Sequence, residues 1–176
     1  MTIGITGPTG AGKTTAAKYL AATHGLSYLR YSEVLAEMSP EPTPDRQTLR
    51  EFGSDIMSRG MQSNLNQKLL SKMQSGINYV IDGLRHPIDF EMLSTRPPFY
   101  LLYVEASPQI RWQRLISRDK SKTWEEFSAI EKQPVESYLP ILKEKAYKTL
   151  LNEGHMTEFH ADLDAVFSDI RKLGNQ

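Results

Sequence analysis

The sequence predicts one α/β domain, residues 1–176, built on a parallel sheet. Three observations lead there. A short apolar run, Met1–Thr6, passes through Gly7-Pro8-Thr9-Gly10-Ala11-Gly12-Lys13-Thr14 into the helical stretch Thr15–Ala22. Two further strand-length runs, Ile77–Asp82 and Phe99–Val104, are nearly continuously apolar, as strands covered on both faces tend to be. Helical patterns separate them, which is the alternation of a parallel sheet.

The glycine stretch reads G-x-x-x-x-G-K-T between a strand and a helix, the setting that gives the string meaning. Gly7, Gly10 and Gly12 let the backbone curl and bring its N–H groups close to an anion. Pro8, Thr9 and Ala11 complete the loop. Thr15 follows in the first turn of a helix whose free N–H groups and positive dipole end face the same point. By this motif Lys13 reaches the β- and γ-phosphates of a nucleotide, and the Thr14 hydroxyl ligates Mg²⁺.

The chain's 21 basic and 21 acidic residues balance, so nothing global favours a nucleic-acid or membrane partner. Cysteine is absent, which excludes a disulfide framework, a thiolate metal site and a cysteine nucleophile. The N-terminus lacks a basic segment ahead of its apolar run, and no run approaches a membrane span. A cytoplasmic setting is expected, with a small molecule as partner and the chain as a monomer or homodimer.

Leu26–Tyr31 reads as the second strand, and Ser32 as the cap of a helix opening with Glu33, which is either a helix-start charge or a functional acid. The proline-rich segment 39–44 forbids a helix. Asp45 then caps a helix with an apolar stripe at Leu49, Phe52 and Ile56. Arg46 and Arg50, four apart, form either a solvated face or a forked clamp for a phosphate. Gly60 interrupts this helix, and another runs through Leu65, Leu69, Leu70 and Met73 to Gly76. Asp82 ends its strand where ligands bind in open α/β sheets, and is either a turn residue or the second Mg²⁺ partner. Arg85 points into the same crevice.

After the strand 99–104, Ser107-Pro108 starts a helix with a core face of Trp112, Leu115 and Ile116. Arg111, Arg114 and Arg118 share another stripe, followed by Lys120 and Lys122. This is either a solvated face or a stripe that neutralises phosphates. Thr123-Trp124-Glu125-Glu126 is a capping box. The polar excursion over 121–139 reads as a mobile lid. Tyr147–Asn152 returns as a strand, Asn152-Glu153-Gly154 turns, and a last helix packs Leu163, Val166, Phe167, Ile170 and Leu173 on the core.

In the order of these motifs the chain resembles the P-loop small-molecule kinases, the group of adenylate kinase and dephospho-CoA kinase. Ser32-Glu33-Val34-Leu35 falls where adenylate kinases have Gly-Asp before a helix. Tyr79–Arg85 is similar to their Asp-Gly-Phe-Pro-Arg segment, one residue shorter. Arg114 and Arg118 match the R-x-x-x-R before their lid, and Asn152-Glu153-Gly154 resembles the adenine-side turn of dephospho-CoA kinases. The resemblance implies a three-layer P-loop NTPase sandwich with five parallel strands ordered 2-3-1-4-5, acceptor-binding helices at about 32–75 and a short lid at about 119–140. It implies ATP as donor, Lys13 and Arg118 on the transferring phosphoryl group, Arg114, Asn152 and Gly154 near adenine, and Mg²⁺ on Thr14 and Asp82. The acceptor would meet Glu33, Arg46, Arg50 and Arg85, with Glu33 as general base if the acceptor is a hydroxyl. The chain departs from the pattern at Ala36, where adenylate kinases carry arginine. Its lid offers Lys120, Lys122 and Lys132 but no arginine between Arg118 and Arg171. A nucleoside or deoxynucleoside monophosphate is the expected acceptor. The alternatives are a hydroxyl compound, as in dephospho-CoA kinase, and an NTP-dependent switch or assembly factor that is not a kinase.

Overall fold

The computed structural model describes residues 1–120 and 123–174. The chain runs β1 (Thr2–Thr6), α1 (Lys13–His24), β2 (Ser27–Arg30), α2 (Tyr31–Met38), α3 (Arg46–Ser58), α4 (Gln62–Ser71), β3 (Tyr79–Asp82), α5 (Pro87–Ser94) and β4 (Phe99–Glu105). It continues through α6 (Pro108–Arg118), α7 (Trp124–Glu131), a 3-10 turn (Pro134–Glu136), α8 (Leu139–Glu144), β5 (Lys148–Leu151) and α9 (Met156–Gly174). Among the described residues one five-stranded sheet forms in the order β2-β3-β1-β4-β5, with every pairing parallel, as the resemblance implies.

Residue alternation along the strands divides the core. Ile3, Ile5, Val80, Leu102 and Val104 point to one face, where α1 and α9 cover them with Ala16, Ala17, Leu20, Leu163 and Phe167. Tyr79, Ile81, Leu101 and Tyr103 point to the other, against Val34, Leu65, Leu69, Leu93 and Leu142 from α2, α4, α5 and α8. The result is a three-layer sandwich. The small Ala16 and Ala17 let α1 lie close to the sheet; both are wholly buried.

Local signals hold at several ends. The Asp45 carboxylate accepts from the Thr48 N–H at 2.8 Å, and Thr123 and Glu126 form the reciprocal capping box. Others are corrected. Ser32 is not a cap: α2 starts two residues earlier than expected, at Tyr31, without a side-chain cap, because β2 runs straight into it. Leu173 is exposed, since the sheet ends before the last turn of α9. On α6, Trp112, Leu115 and Ile116 are only half-buried, and the buried residue is Arg111. Ile77 lies outside β3 and is exposed. Two helices, α5 and α8, were not anticipated. The polar reading of 121–139 also fails in part, because Phe127 and Ile130 of α7, with Leu139 just beyond, are buried. No described helix is long and apolar enough to cross a membrane.

Candidate active site

The loop between β1 and α1 is shaped by close approaches. Gly7 has φ 136°, and a Cβ there would meet the Val104 carbonyl oxygen at 2.0 Å. Gly12, at φ 105°, is the left-handed residue that starts α1, and the Asn152 amide occupies the space a Cβ would need, at 2.2 Å. The loop is therefore packed against the ends of β4 and β5 as well as joining β1 to α1.

Asn152, just past β5 and buried, donates through Nδ2 to the Ala11 carbonyl at 2.8 Å. Arg114 bridges the same parts. Its Nη2 donates to the Asn152 backbone oxygen at 2.9 Å, and its Nη1 lies 3.3–3.4 Å from the Ala11 and Gly10 carbonyls. Arg111 donates through Nε to Ala106 O at 2.9 Å, reaches Thr9 O at 3.3 Å, pairs with Glu131 of α7 and lies over the Phe127 ring. Two members of the predicted arginine stripe thus brace the outside of the loop. The third, Arg118, is exposed and lines the main cavity.

That cavity, about 730 Å³, runs from the loop to α2, α3 and α4. Thr9, Gly10, Gly12, Lys13, Thr14 and Thr15 line its loop end. Lys13 Nζ folds back onto the Pro8 carbonyl at 2.8 Å. Burial, and next the Arg85 cation, pull the Lys13 ammonium well below the ordinary lysine value, while Glu136 and Asp82 act the other way. Thr14 Oγ1 donates to Asp82 Oδ2 at 2.6 Å. Tyr28 donates to the same oxygen at 3.0 Å, and Arg30 Nε lies 3.3 Å from it. Burial, then the Asp82 carboxylate, raise the Tyr28 phenol above its usual range. Parallel register produces this cluster, because Arg30 is directly across from Asp82.

On the far wall, Arg85 extends from the β3–α5 turn to Glu136 of the 3-10 turn at 2.7 Å and to Thr9 Oγ1 at 3.3 Å. Below it Asp89, almost wholly buried, accepts from Gln62 Nε2 (2.6 Å), Asn66 Nδ2 (2.7 Å) and the Arg85 and His86 N–H groups (both 2.9 Å). Tyr31 donates to Asn66 at 2.6 Å, so α2, α4 and α5 share one network. Arg50, Gln62 and the apolar Leu35, Leu49, Met57 and Leu65 complete this end.

The predicted residues divide accordingly. Lys13, Thr14, Asp82, Arg85, Arg50 and Arg118 line one cavity. Glu33 does not: it is exposed on α2, outside the cavity lining, where its neighbour Ser32 lies. The Arg46 side chain and Lys122 fall outside the described residues. Lys120 and Lys132 are exposed. Sequence reasoning missed Glu136, Asp89, Gln62, Tyr28 and Arg30. Of these, Arg30 had a signal, as a charge ending a strand beside Asp82. Glu136 had none.

A model of the family described as AAA domain matches residues 3–134, most of the chain. No curated protein matches by sequence. Solved structures share the fold. TT1252 from Thermus thermophilus is 22% identical with a TM-score of 0.61, over 96% of this chain and 97% of that one. Shikimate kinase from Acinetobacter baumannii, in complex with shikimate, is 18% identical with a TM-score of 0.60, over 99% and 94%. Shikimate kinase from Bacteroides thetaiotaomicron is 15% identical with a TM-score of 0.62, over 97% and 98%. At such identities the likeness is one of fold.

Proposed function

The chain belongs to the AAA-domain family, and from that premise we propose that it is an ATP-dependent kinase of a small phosphorylated acceptor, a nucleoside or deoxynucleoside monophosphate. The observation that carries this reading is the single cavity joining the loop to the α2–α4 wall. Its loop end suits a triphosphate. Its far end sets Arg50 and Arg85 beside the apolar Leu35, Leu49, Met57 and Leu65, which suits a phosphate attached to a flat ring. Helices within about 32–75 would hold the acceptor, and the segment at about 119–140 would act as the lid.

In this reading the loop N–H groups and Lys13 hold the donor phosphates. Arg114, Asn152 and Gly154 stand on the adenine side, and Arg85 and Arg50 hold the acceptor phosphate. A hydroxyl and a carboxylate oxygen in contact, Thr14 and Asp82, fit a hard cation that takes its other ligands from phosphates and water. Among the described residues no cluster of three or more His, Asp or Glu could hold a metal without substrate. Mg²⁺, when bound, would neutralise charge on the phosphates. An ionised acceptor phosphate attacks in line without a base, so the protein contributes position and positive charge. Arg118, at the cavity rim, would meet the charge that develops on the transferring group.

The test is ADP release from ATP and Mg²⁺ against ribo- and deoxynucleoside monophosphates, dephospho-CoA and hydroxyl acceptors, shikimate included. One monophosphate should accelerate release and become the diphosphate. Acceleration by hydroxyl compounds alone would favour the second reading, transfer to a hydroxyl, which draws support from the fold shared with shikimate kinases. In that case Glu33→Gln should nearly abolish transfer if Glu33 is the base. Its exposed position outside the cavity lining counts against that role. Slow hydrolysis that no acceptor stimulates would overturn the kinase reading in favour of a nucleotide-dependent switch.

A further inference from the structure

Glu136 places a carboxylate where the site would receive a phosphate. Its side chain is 6% exposed. Oε1 accepts from Thr9 Oγ1 at 2.9 Å and from Arg85 Nη1 at 2.7 Å. Oε2 is buried without a hydrogen-bond partner. A carboxylate oxygen left unpaired out of water is costly. It is tolerated here because the charge lies against the Arg85 guanidinium, in a cavity that Lys13 also lines. Thr9 belongs to the phosphate loop and Arg85 to the far wall, so Glu136 stands between them, in the space that the kinase reading gives to a transferring phosphoryl group. A phosphate and a carboxylate cannot share that space, since like charges in contact repel strongly.

Resting on the kinase reading, we propose that Glu136 is a resident counter-ion that latches the lid onto the phosphate loop, and that the terminal phosphate of the donor must displace it. Its departure frees Arg85 for phosphate. It also carries lid segments with it, because the 3-10 turn follows α7 after two residues and Gln133 N–H is bonded to the Ile130 carbonyl at 3.2 Å. The latch balances the charge of the loop and Arg85 before phosphate arrives, and couples a rearrangement of the lid to the arrival of a triphosphate. A diphosphate, which lacks the group that competes for this space, displaces Glu136 less.

The protein carries its own reporter. Its two tryptophans, Trp112 and Trp124, lie on α6 and α7 with ring centroids 5.7 Å apart and perpendicular planes, and both pack near Phe127. Mg-ATP and Mg-ADP are titrated into the wild type, Glu136→Gln and Lys13→Ala, by calorimetry and by tryptophan fluorescence. Glu136→Gln keeps the shape and removes the charge. It should bind Mg-ATP about tenfold more tightly, the scale of one relieved like-charge contact, with a smaller gain for Mg-ADP. Its ligand-free fluorescence should already lie toward the ATP-bound wild-type signal. A wild type that binds Mg-ATP through Lys13, with affinity in Glu136→Gln unchanged, weaker, or improved equally for both nucleotides, overturns the latch and leaves the kinase reading standing. A wild type that binds neither nucleotide overturns both.

Discussion

Thr14 Oγ1 donates to Asp82 Oδ2 at 2.6 Å, tying the first turn of α1 to the carboxyl end of β3. The two are 68 residues apart, yet they form the hard-oxygen pair from which the proposed Mg²⁺ role follows. Asp82→Asn keeps the shape and removes the charge. It should raise the Mg²⁺ concentration needed for half-maximal ADP release by about 10–100-fold. An unchanged Mg²⁺ titration would remove Asp82 from the metal site.

Lys13 and Arg118 both line the cavity. Replacing either with alanine should lower turnover by about 10²–10³-fold, the scale of one lost transition-state donor. Steady-state ADP release with the identified acceptor measures this. Near-wild-type turnover in both variants would sink the site assignment.

Gly12→Ala tests why the loop is tight. The new Cβ meets the Asn152 amide, and the residue's φ of 105° strains any side chain. The variant should lose ATP binding and melt at lower temperature. Adding Asn152→Ala removes the clash but not the strain, so the double variant should regain part of the melting temperature and not the binding. Full recovery of both would show that only the clash mattered.

Asp89 holds four donors while almost wholly buried. Asp89→Ala should cost at least about 3 kcal/mol in urea unfolding, because each buried group left unpaired costs about 1–3 kcal/mol. A loss below about 1 kcal/mol would show that the network is not a structural keystone.

Away from the site, Asp164 accepts from Tyr19 at 2.8 Å and lies 2.8 Å from His24 Nε2. The Tyr19 hydroxyl first, with His24 also contributing, holds the carboxyl below the usual aspartate range. A group with a depressed folded pKa gives stability that is present above its unfolded value, about 3.9. That stability is lost as pH falls through the folded value, because the unfolded chain takes up the proton first. Denaturation at pH 6 and at steps down to pH 2 should show Asp164→Asn less stable than the wild type at the upper end and nearly equal to it at the lower end. A gap that does not narrow would rule out the ionised carboxylate as its source.

Much of the sandwich was legible because its signals are local. Gly7–Thr14 can be read as a string, the runs at 77–82 and 99–104 announce buried parallel strands, and Asp45 and Thr123 cap helices through neighbours three residues away. What failed was also instructive. Arg111 looks like a surface charge on α6, but is buried because Glu131, Phe127 and the Thr9 carbonyl arrive from elsewhere in the chain.

By itself the sequence determined the alternation of strands and helices, the phosphate loop and the positions of Lys13, Thr14, Asp82 and Arg85, since each depends on spacing along a few residues. Tertiary structure alone decided that Glu136 stands between Thr9 and Arg85, that Asp89 underpins the turn carrying Arg85, and that Glu33 stays outside the cavity lining. These depend on contacts between groups roughly 20 to 130 residues apart, and side-chain charge carries no local mark of which distant partner will satisfy it.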